Sequence, residues 1–177
     1  TCYRKELGRL RYLVYETSLM TTRNYLLNEL NELSYEDFNY NPEKNSWSIA
    51  QICHHVALTE ETFAKAIAYG LKKSIVRAEQ KKIDFMLDRS NKLKAPEIVQ
   101  PPIDSLESDQ ILDLLSQSRN LLMSILNTVE DSSTLTEKSV PHPFLGELPL
   151  NQWIELIYLH EQRHIEQIKE IKSIAKS

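Results

Sequence analysis

The sequence predicts an all-α fold, a four-helix bundle in which a long crossover joins the second and third helices. Apolar residues recur at close to a 3.6-residue period in four long segments, as they do on amphipathic helices. Only 3 of the 177 residues are glycine, too few for an architecture of strands and tight turns. The connector 71–104 is long enough to run the length of a bundle, which allows the second and third helices to point the same way.

The boundaries of the first two helices follow from the ends of their apolar stripes. The first predicted helix covers about residues 4–33 and stops at the polar, Asn-rich stretch 34–47. The second begins at Ser46 or Ser48, since either side chain can cap it, and Gly70 is a natural stop.

The second half of the chain holds the crossover and the last two helices. The crossover contains a short predicted helix near 81–89 and then the proline-rich stretch KAPEIVQPPIDS. The third helix covers about 107–129, and an irregular loop leads to the fourth, 150–174. Because no internal repeat or composition change divides the chain, we expect a single domain over residues 1–177.

Composition argues against several classes of function. The net charge of −4 provides no global basic field that could hold nucleic acid. No apolar run is long enough to cross a bilayer, and no secretory signal is visible. Cys2 and Cys53 form no disulfide framework, and Cys53 lies in an apolar helical pattern as a small buried residue. We therefore expect a cytoplasmic protein with neither nucleic acid nor membrane as a partner.

The fourth helix contains HEQRH, the H-E-x-x-H pattern of zinc peptidases. His160 and His164 lie one helical turn apart, on or beside the apolar stripe that should face the bundle interior. Two inward imidazoles need partners, because unsatisfied buried polar groups are unfavourable. The partners are either a metal ion or ordinary hydrogen-bond acceptors, and both interpretations stay open on periodicity alone.

The peptidase interpretation fails because no third zinc ligand follows the pattern. Zinc peptidases take that ligand downstream, from a histidine six residues on or from a glutamate on a later helix. Position 170 is Glu170, Gln167 stands where the longer pattern has glycine, and 165–177 leaves no room for a further helix. A third ligand must therefore come from upstream.

Three upstream histidines are candidates for the third ligand. His54 and His55 lie on opposite flanks of the apolar stripe of the second helix, so periodicity does not choose between them. His142, in SVPHPFLG, leads into the fourth helix. It could be a ligand, a partner of a ligand, a substrate contact or an ordinary surface histidine.

Two motifs resemble the DinB-like (YfiT-like) family of bacterial metal-binding four-helix bundles. SWSIAQICHHV has a tryptophan near the start of the second helix and a histidine eight residues later. HPFLGELPLNQWIELIYLHEQRHIEQI has the His-Pro loop, a tryptophan and the paired histidines. The resemblance covers 47–168 and implies that His55, His160 and His164 bind one divalent metal ion, zinc or nickel.

The same resemblance suggests an activity, because some relatives transfer a low-molecular-weight thiol of the bacillithiol type to an electrophile. Three neutral imidazoles leave coordination positions open, as in catalytic rather than structural zinc sites. The loop around His142 should then line the mouth of the site. Tyr158, Glu161 and Gln167 are candidates to orient the ligands, with Glu161 no longer a peptidase base, and Arg163 is a candidate cationic contact.

Other functions remain compatible with the sequence. They are metal-dependent hydrolysis of a small molecule, metal or ligand binding without turnover in a stress response, and a purely structural bundle. A small-molecule substrate is expected for the thiol transferase and for the hydrolase alike. A homodimer is a further expectation, for which the first helix offers a set of aromatic residues: Tyr3, Tyr12, Tyr15 and Tyr25.

Overall fold

Four long helices form the bundle, as predicted. The computed structural model describes residues 2–90 and 94–175, with side chains in the first helix from residue 12 onward. Its helices are α1 (Cys2–Leu30), α2 (Tyr35–Asn39), α3 (Ile49–Leu71), α4 (Ser108–Leu126), α5 (Thr134–Glu137) and α6 (Leu150–Ala175). Two short 3-10 helices and a two-stranded hairpin lie in the connections: Asp84–Leu87, Glu97–Val99, β1 (Ser139–His142) and β2 (Gly146–Pro149).

Two hydrophobic clusters divide the bundle core lengthwise and fix the direction of each helix. Members of the first cluster from α1, α3, α4 and α6 are Leu19, Ile67, Leu122 and Ile154. The corresponding members of the second cluster are Leu26, Ile52, Leu115 and Ile168. Residue numbers rise from the first to the second cluster in α1 and α6 and fall in α3 and α4. Helices α3 and α4 are therefore parallel, which confirms the long crossover.

Helix α1 ends three residues before its predicted boundary. Glu32 has a φ of 63°, a left-handed conformation that cannot continue a right-handed helix. Ser34 then caps the short helix α2 inside the polar stretch that was predicted to end the first helix. Its hydroxyl accepts a hydrogen bond from the Asp37 amide, while the Asp37 carboxylate accepts one from the Ser34 amide.

Helix α3 begins at the second of its two predicted caps. The Ser48 hydroxyl accepts a hydrogen bond from the Gln51 amide at 3.2 Å, and the Gln51 side-chain oxygen accepts one from the Ser48 amide at 3.0 Å. At the other end, Gly70 does not stop the helix, which continues to Leu71. Gly70 instead allows close packing, since a Cβ there would lie 2.6 Å from both Leu150 Cδ2 and Val140 Cγ2.

Gly70→Ala is expected to lower the free energy of unfolding by about 1–2 kcal/mol. The added methyl group overpacks against two buried side chains, and this outweighs the roughly 1 kcal/mol that alanine gains in helix propensity. Urea denaturation followed by circular dichroism measures the change. A variant more stable than the wild type would show that Leu150 and Val140 move aside without strain.

The connections contain more structure than the sequence predicts. The helix expected near 81–89 is a single 3-10 turn, Asp84–Leu87. The loop before α6 folds into α5 and an antiparallel hairpin in which Ser139 pairs with Pro149 and His142 with Gly146. Gly146 has a φ of 67°, the left-handed conformation that closes a three-residue hairpin loop.

The outer surface of α1 carries apolar and aromatic side chains. Tyr25 is exposed, whereas Tyr12 and Tyr15 pack against the first core cluster, and Tyr3 lies outside the described side chains. Within the part of the chain that the structure describes, no helix combines the length and apolar character needed to cross a bilayer.

Candidate metal centre

Three histidine side chains from two helices converge at one point between α3 and α6. The Nε2 atom of His160 lies 2.9 Å from Nε2 of His55 and 3.1 Å from Nε2 of His164. His55 and His164 are buried and His160 is partly buried. We call these residues the three-histidine group. His55 belongs to it rather than His54, in agreement with the tryptophan–histidine spacing of the first motif.

His55 is oriented by partners on both sides of its ring. Its Nδ1 lies 2.7 Å from the carbonyl oxygen of Val99, in the 3-10 helix of the crossover. A carbonyl only accepts hydrogen bonds, so Nδ1 carries the proton and Nε2 presents a lone pair. The indole ring of Trp47 packs at 4.9 Å from the imidazole, between ring centroids. The crossover and the start of α3 thus fix both the tautomer and the direction of His55.

His164 is fixed in the same way from within α6. Its Nδ1 lies 2.8 Å from the side-chain oxygen of Gln167, one turn along the helix. With that oxygen as acceptor, Nδ1 holds the proton and Nε2 again presents a lone pair. Gln167, predicted as a candidate to orient a ligand, therefore lies in contact with one of the three candidate ligands.

Burial keeps all three imidazoles neutral at neutral pH. It lowers the pKa of His164 to about 3, with the neighbouring His55 lowering it further. It also lowers the pKa of His160 well below its ordinary value, and the two other imidazoles add to this effect. The pKa of His55 is lowered by burial, partly offset by the Val99 hydrogen bond. Neutral imidazoles are the form that binds metals.

The donor set suits a single divalent cation. Two nitrogens that bind one zinc ion at about 2.0–2.1 Å lie roughly 3 Å apart, close to the spacing of these Nε2 atoms. Without a cation, lone pairs on His55 and His164 would both face His160, which can offer them only one Nε2 proton. Three imidazoles leave a fourth position open, which distinguishes catalytic from structural zinc sites.

Glu161 has a different environment from the one a metal-site residue needs. It belongs to a buried ion-pair quartet that joins all four bundle helices: Arg23, Glu60, Arg119 and Glu161. Its carboxylate accepts hydrogen bonds from Arg23 Nε at 2.6 Å and from the Thr22 hydroxyl at 2.6 Å. Burial lowers the pKa of Arg23, but the carboxylates of Glu161 and Glu60 more than offset this and raise it. Glu161 therefore contributes to the bundle core, where its carboxylate is held by Thr22, Arg23 and Arg119.

Two further histidines lie outside the three-histidine group. His142 is on the hairpin, with its ring 5.1 Å from that of Trp153 and 6.2 Å from that of Phe63, between centroids. His54 lines a shallow cleft between α3 and α4, together with Glu61 and other residues of those helices. Neither histidine is placed as a ligand.

Tyr158 and Arg163 contact residues outside the three-histidine group, and the Arg163 charge adds to the effect of burial in lowering the pKa of His160 and His164. Tyr158 packs against the first core cluster, where burial, followed by the charge of Glu155, raises its pKa to about 12. Arg163 donates hydrogen bonds to the carbonyl oxygens of Met86 and Asp88, and so ties the crossover to α6.

The buried thiol of Cys53 supplies no nucleophile. Its side chain is fully buried in the second core cluster, as the apolar pattern predicts. Burial raises its pKa to about 12, so the thiol stays protonated and unreactive at neutral pH.

Sequence reasoning missed several residues that hold the site together. Val99 acts through its backbone carbonyl, which any residue type provides, so no side-chain pattern marks it. Arg23 and Arg119 come from two different helices, and their shared contacts depend on tertiary packing. Glu60 could have been noticed in the sequence, because it is a charged residue within the apolar stripe of α3, between Ala57 and Ala64.

Fold and site together define a class of protein: a helical bundle with a three-histidine candidate metal centre between its third and sixth helices. The chain belongs to the DinB superfamily, whose family model matches residues 18–168. The matched range includes all three histidines and both motifs, so the resemblance noted in the sequence is confirmed.

Two relatives extend this comparison. The chain is 34% identical over 146 residues to the uncharacterized protein YuaE of Bacillus subtilis (strain 168), a match that covers 82% of this chain and 89% of YuaE. Among solved structures it is similar to TT2238, a four-helix bundle protein, with a TM-score of 0.63 and 20% identity. That likeness covers 90% of this chain and 98% of TT2238 and supports the fold alone.

Proposed function

We propose that this protein is a metal-dependent enzyme that transfers a low-molecular-weight thiol to a small electrophile. The observation that carries the proposal is the convergence of three neutral Nε2 atoms, two of them with their tautomers fixed by Val99 and Gln167. In this proposal His55, His160 and His164 hold one zinc or nickel ion. The bound ion supplies positive charge and open positions, which lower the pKa of a water or thiol placed there.

The surroundings favour thiol transfer over hydrolysis. Hydrolysis of this kind gains from a carboxylate base near the attacking water. The candidate ligand group among the described residues consists of histidines alone, and the carboxylate of Glu161 is occupied by Arg23 and Thr22. A thiol, with an ordinary pKa of about 8.5, needs a much smaller shift than water at about 15.7. The site therefore has to lower the pKa of a thiol co-substrate by much less than the pKa of water.

The proposed reaction requires only two substrates. The thiol sulfur forms a bond to the electrophilic carbon, and the leaving group departs with the electron pair of its bond to that carbon. The thiol proton passes to solvent. The chain's own contribution is to fix the orientation of His55 through Trp47 and Val99 and that of His164 through Gln167.

Gln167→Ala is expected to weaken zinc binding by about ten- to a hundredfold without changing the helix content. It removes the acceptor that fixes the tautomer of His164, and losses of such outer partners have effects of this size. Competition with a fluorescent zinc chelator measures the affinity. Glu166→Ala, a change of an exposed residue one position earlier on α6, is the control and should bind zinc like the wild type. Equal affinities for both variants would show that the Gln167 contact does not support the site.

A conjugation assay tests the proposed activity. Zinc- and nickel-loaded protein is incubated with chlorodinitrobenzene and a panel of thiols that includes bacillithiol, cysteine and glutathione. The proposal predicts product formation with at least one thiol that depends on the metal and is lost in His55→Ala, but not in His54→Ala. Metal-loaded protein that accelerates conjugation with none of the thiols would exclude transferase activity and leave hydrolysis or metal binding without turnover.

A further inference from the structure

The outer side of helix α1 carries no charged side chain over about four turns. Nine residues between positions 13 and 28 are exposed to solvent, and all nine are apolar or uncharged polar residues. They are Leu13, Val14, Thr17, Met20, Thr21, Asn24, Tyr25, Leu27 and Asn28. Charged residues make up 26% of the chain and normally occupy the solvated side of a helix. On α6, for example, every exposed residue between positions 166 and 170 is charged: Glu166, Lys169 and Glu170.

These nine residues form one continuous face, which we call the α1 face. At about 100° per residue they fall within an arc of about 160°, and they extend over about 22 Å of the helix axis. The middle of the face is a row in which successive residues are three or four positions apart: Val14, Thr17, Thr21, Asn24 and Asn28. Leu13, Met20 and Leu27 border this row on one side and Tyr25 borders it on the other. Alternating spacings of three and four residues are those of the contact positions between helices in a coiled coil.

The size of the α1 face is close to that of one side of a stable dimer interface. Its five large apolar residues are 37–61% exposed. With about 150–250 Å² for each large side chain, they present roughly 500 Å² of apolar surface to solvent. Soluble monomers rarely expose contiguous apolar patches above a few hundred Å². The threonine and asparagine side chains of the same face bring the total toward the roughly 800 Å² that each partner buries in a specific complex.

The polar residues of the α1 face can pair with copies of themselves. A threonine hydroxyl and an asparagine side-chain amide each donate and accept hydrogen bonds, so two identical residues can bond to one another. Charged side chains, in contrast, repel their own copies. Because the α1 face has none, it can meet itself without local like-charge repulsion, although each chain has a net charge of −4. A partner with a charged surface would instead bury its charges against this face without a counter-charge.

We propose that the α1 face packs against the α1 face of a second copy of this chain and so forms a two-fold symmetric homodimer. In such an interface both copies contribute the same residues, a condition that the uncharged, self-pairing residues of this face satisfy. The three-histidine group consists of residues from α3 and α6 of one chain. The dimer is therefore independent of the proposed function, and a failure of one leaves the other intact.

Analytical ultracentrifugation over a range of protein concentrations tests the homodimer. The wild-type protein should sediment with twice the chain mass at about 100 μM, a concentration above the micromolar upper limit of Kd for interfaces of this size. Dilution should shift the distribution toward the chain mass once the concentration falls below Kd. A single species with the mass of one chain at the highest concentration would contradict the proposal.

Met20→Glu is expected to raise the Kd of the dimer at least about a hundredfold, because two-fold symmetry makes the interface bury two unpaired carboxylates. Met20 is 59% exposed in the single chain and glutamate favours helices, so far-ultraviolet circular dichroism should show unchanged helix content. Leu112→Glu is the matched control, since Leu112 is a 42% exposed residue of α4 outside the α1 face, and it should leave Kd unchanged. Equal Kd values for Met20→Glu and the wild type, or equal dissociation of both variants, would overturn the assignment of the α1 face.

Discussion

Glu161→Ala is expected to lower the free energy of unfolding by about 3–5 kcal/mol, a large part of the 5–15 kcal/mol typical of a domain. Two arginines and two glutamates balance their charges in the buried quartet, and each carboxylate accepts hydrogen bonds from both guanidinium groups. Removing Glu161 leaves Arg23 and Arg119 to share the single carboxylate of Glu60, so one positive charge in the core is uncompensated. Urea denaturation followed by circular dichroism measures the loss.

Glu166→Ala is the matched control for this change. Glu166 lies on the same helix and pairs with Lys169 at 2.8 Å, but both side chains are about half exposed. Exposed ion pairs contribute little to the free energy of unfolding. The value for Glu166→Ala should therefore stay within about 0.5 kcal/mol of the wild-type value. Equal stabilities for Glu161→Ala and Glu166→Ala would show that the quartet does not stabilise the bundle.

His160→Ala is expected to weaken zinc binding by about a hundred- to a thousandfold while the helices stay folded. His160 is the central member of the three-histidine group, in contact with both other imidazoles. Structural zinc sites release about 10–16 kcal/mol through four ligands, which is roughly 2.5–4 kcal/mol for each. Calorimetric titration with zinc measures the affinity, and far-ultraviolet circular dichroism reports the helix content.

His54→Ala is the control for the histidine substitutions. His54 neighbours His55 in sequence but lines the cleft between α3 and α4 and does not belong to the three-histidine group. It should bind zinc with the affinity of the wild type. If His54→Ala and His160→Ala both kept full affinity, zinc would bind elsewhere and the three histidines would be ordinary core residues.

The bundle helices differ in how well their sequences predict them. Helices α3, α4 and α6 bury a continuous apolar face, so the 3.6-residue period and the Ser48 cap locate them closely. The buried face of helix α1 is harder to predict, because apolar residues occur on its outer face as well. Val14 and Leu27 recur with the apolar period of this helix but are 59% and 37% exposed, so periodicity alone does not identify its buried face.

The three candidate ligand histidines could be predicted from the sequence, whereas most of their surroundings could not. His160 and His164 share a helix, so their spacing fixes their relative position, and the tryptophan–histidine motif selected His55. The partner of His55 is a backbone carbonyl in the crossover, and the environment of Glu161 depends on side chains from three other helices. Contacts of this kind arise only when distant segments pack, and no local pattern contains them.

X-ray absorption at the zinc edge tests the metal centre most directly. The zinc-loaded protein should show scattering from imidazole nitrogens at about 2.0–2.1 Å, with no sulfur shell, and each of His55→Ala, His160→Ala and His164→Ala should lose part of the imidazole signal. A zinc–sulfur distance of about 2.3 Å, or a spectrum that none of the three substitutions changes, would contradict metal binding by these histidines.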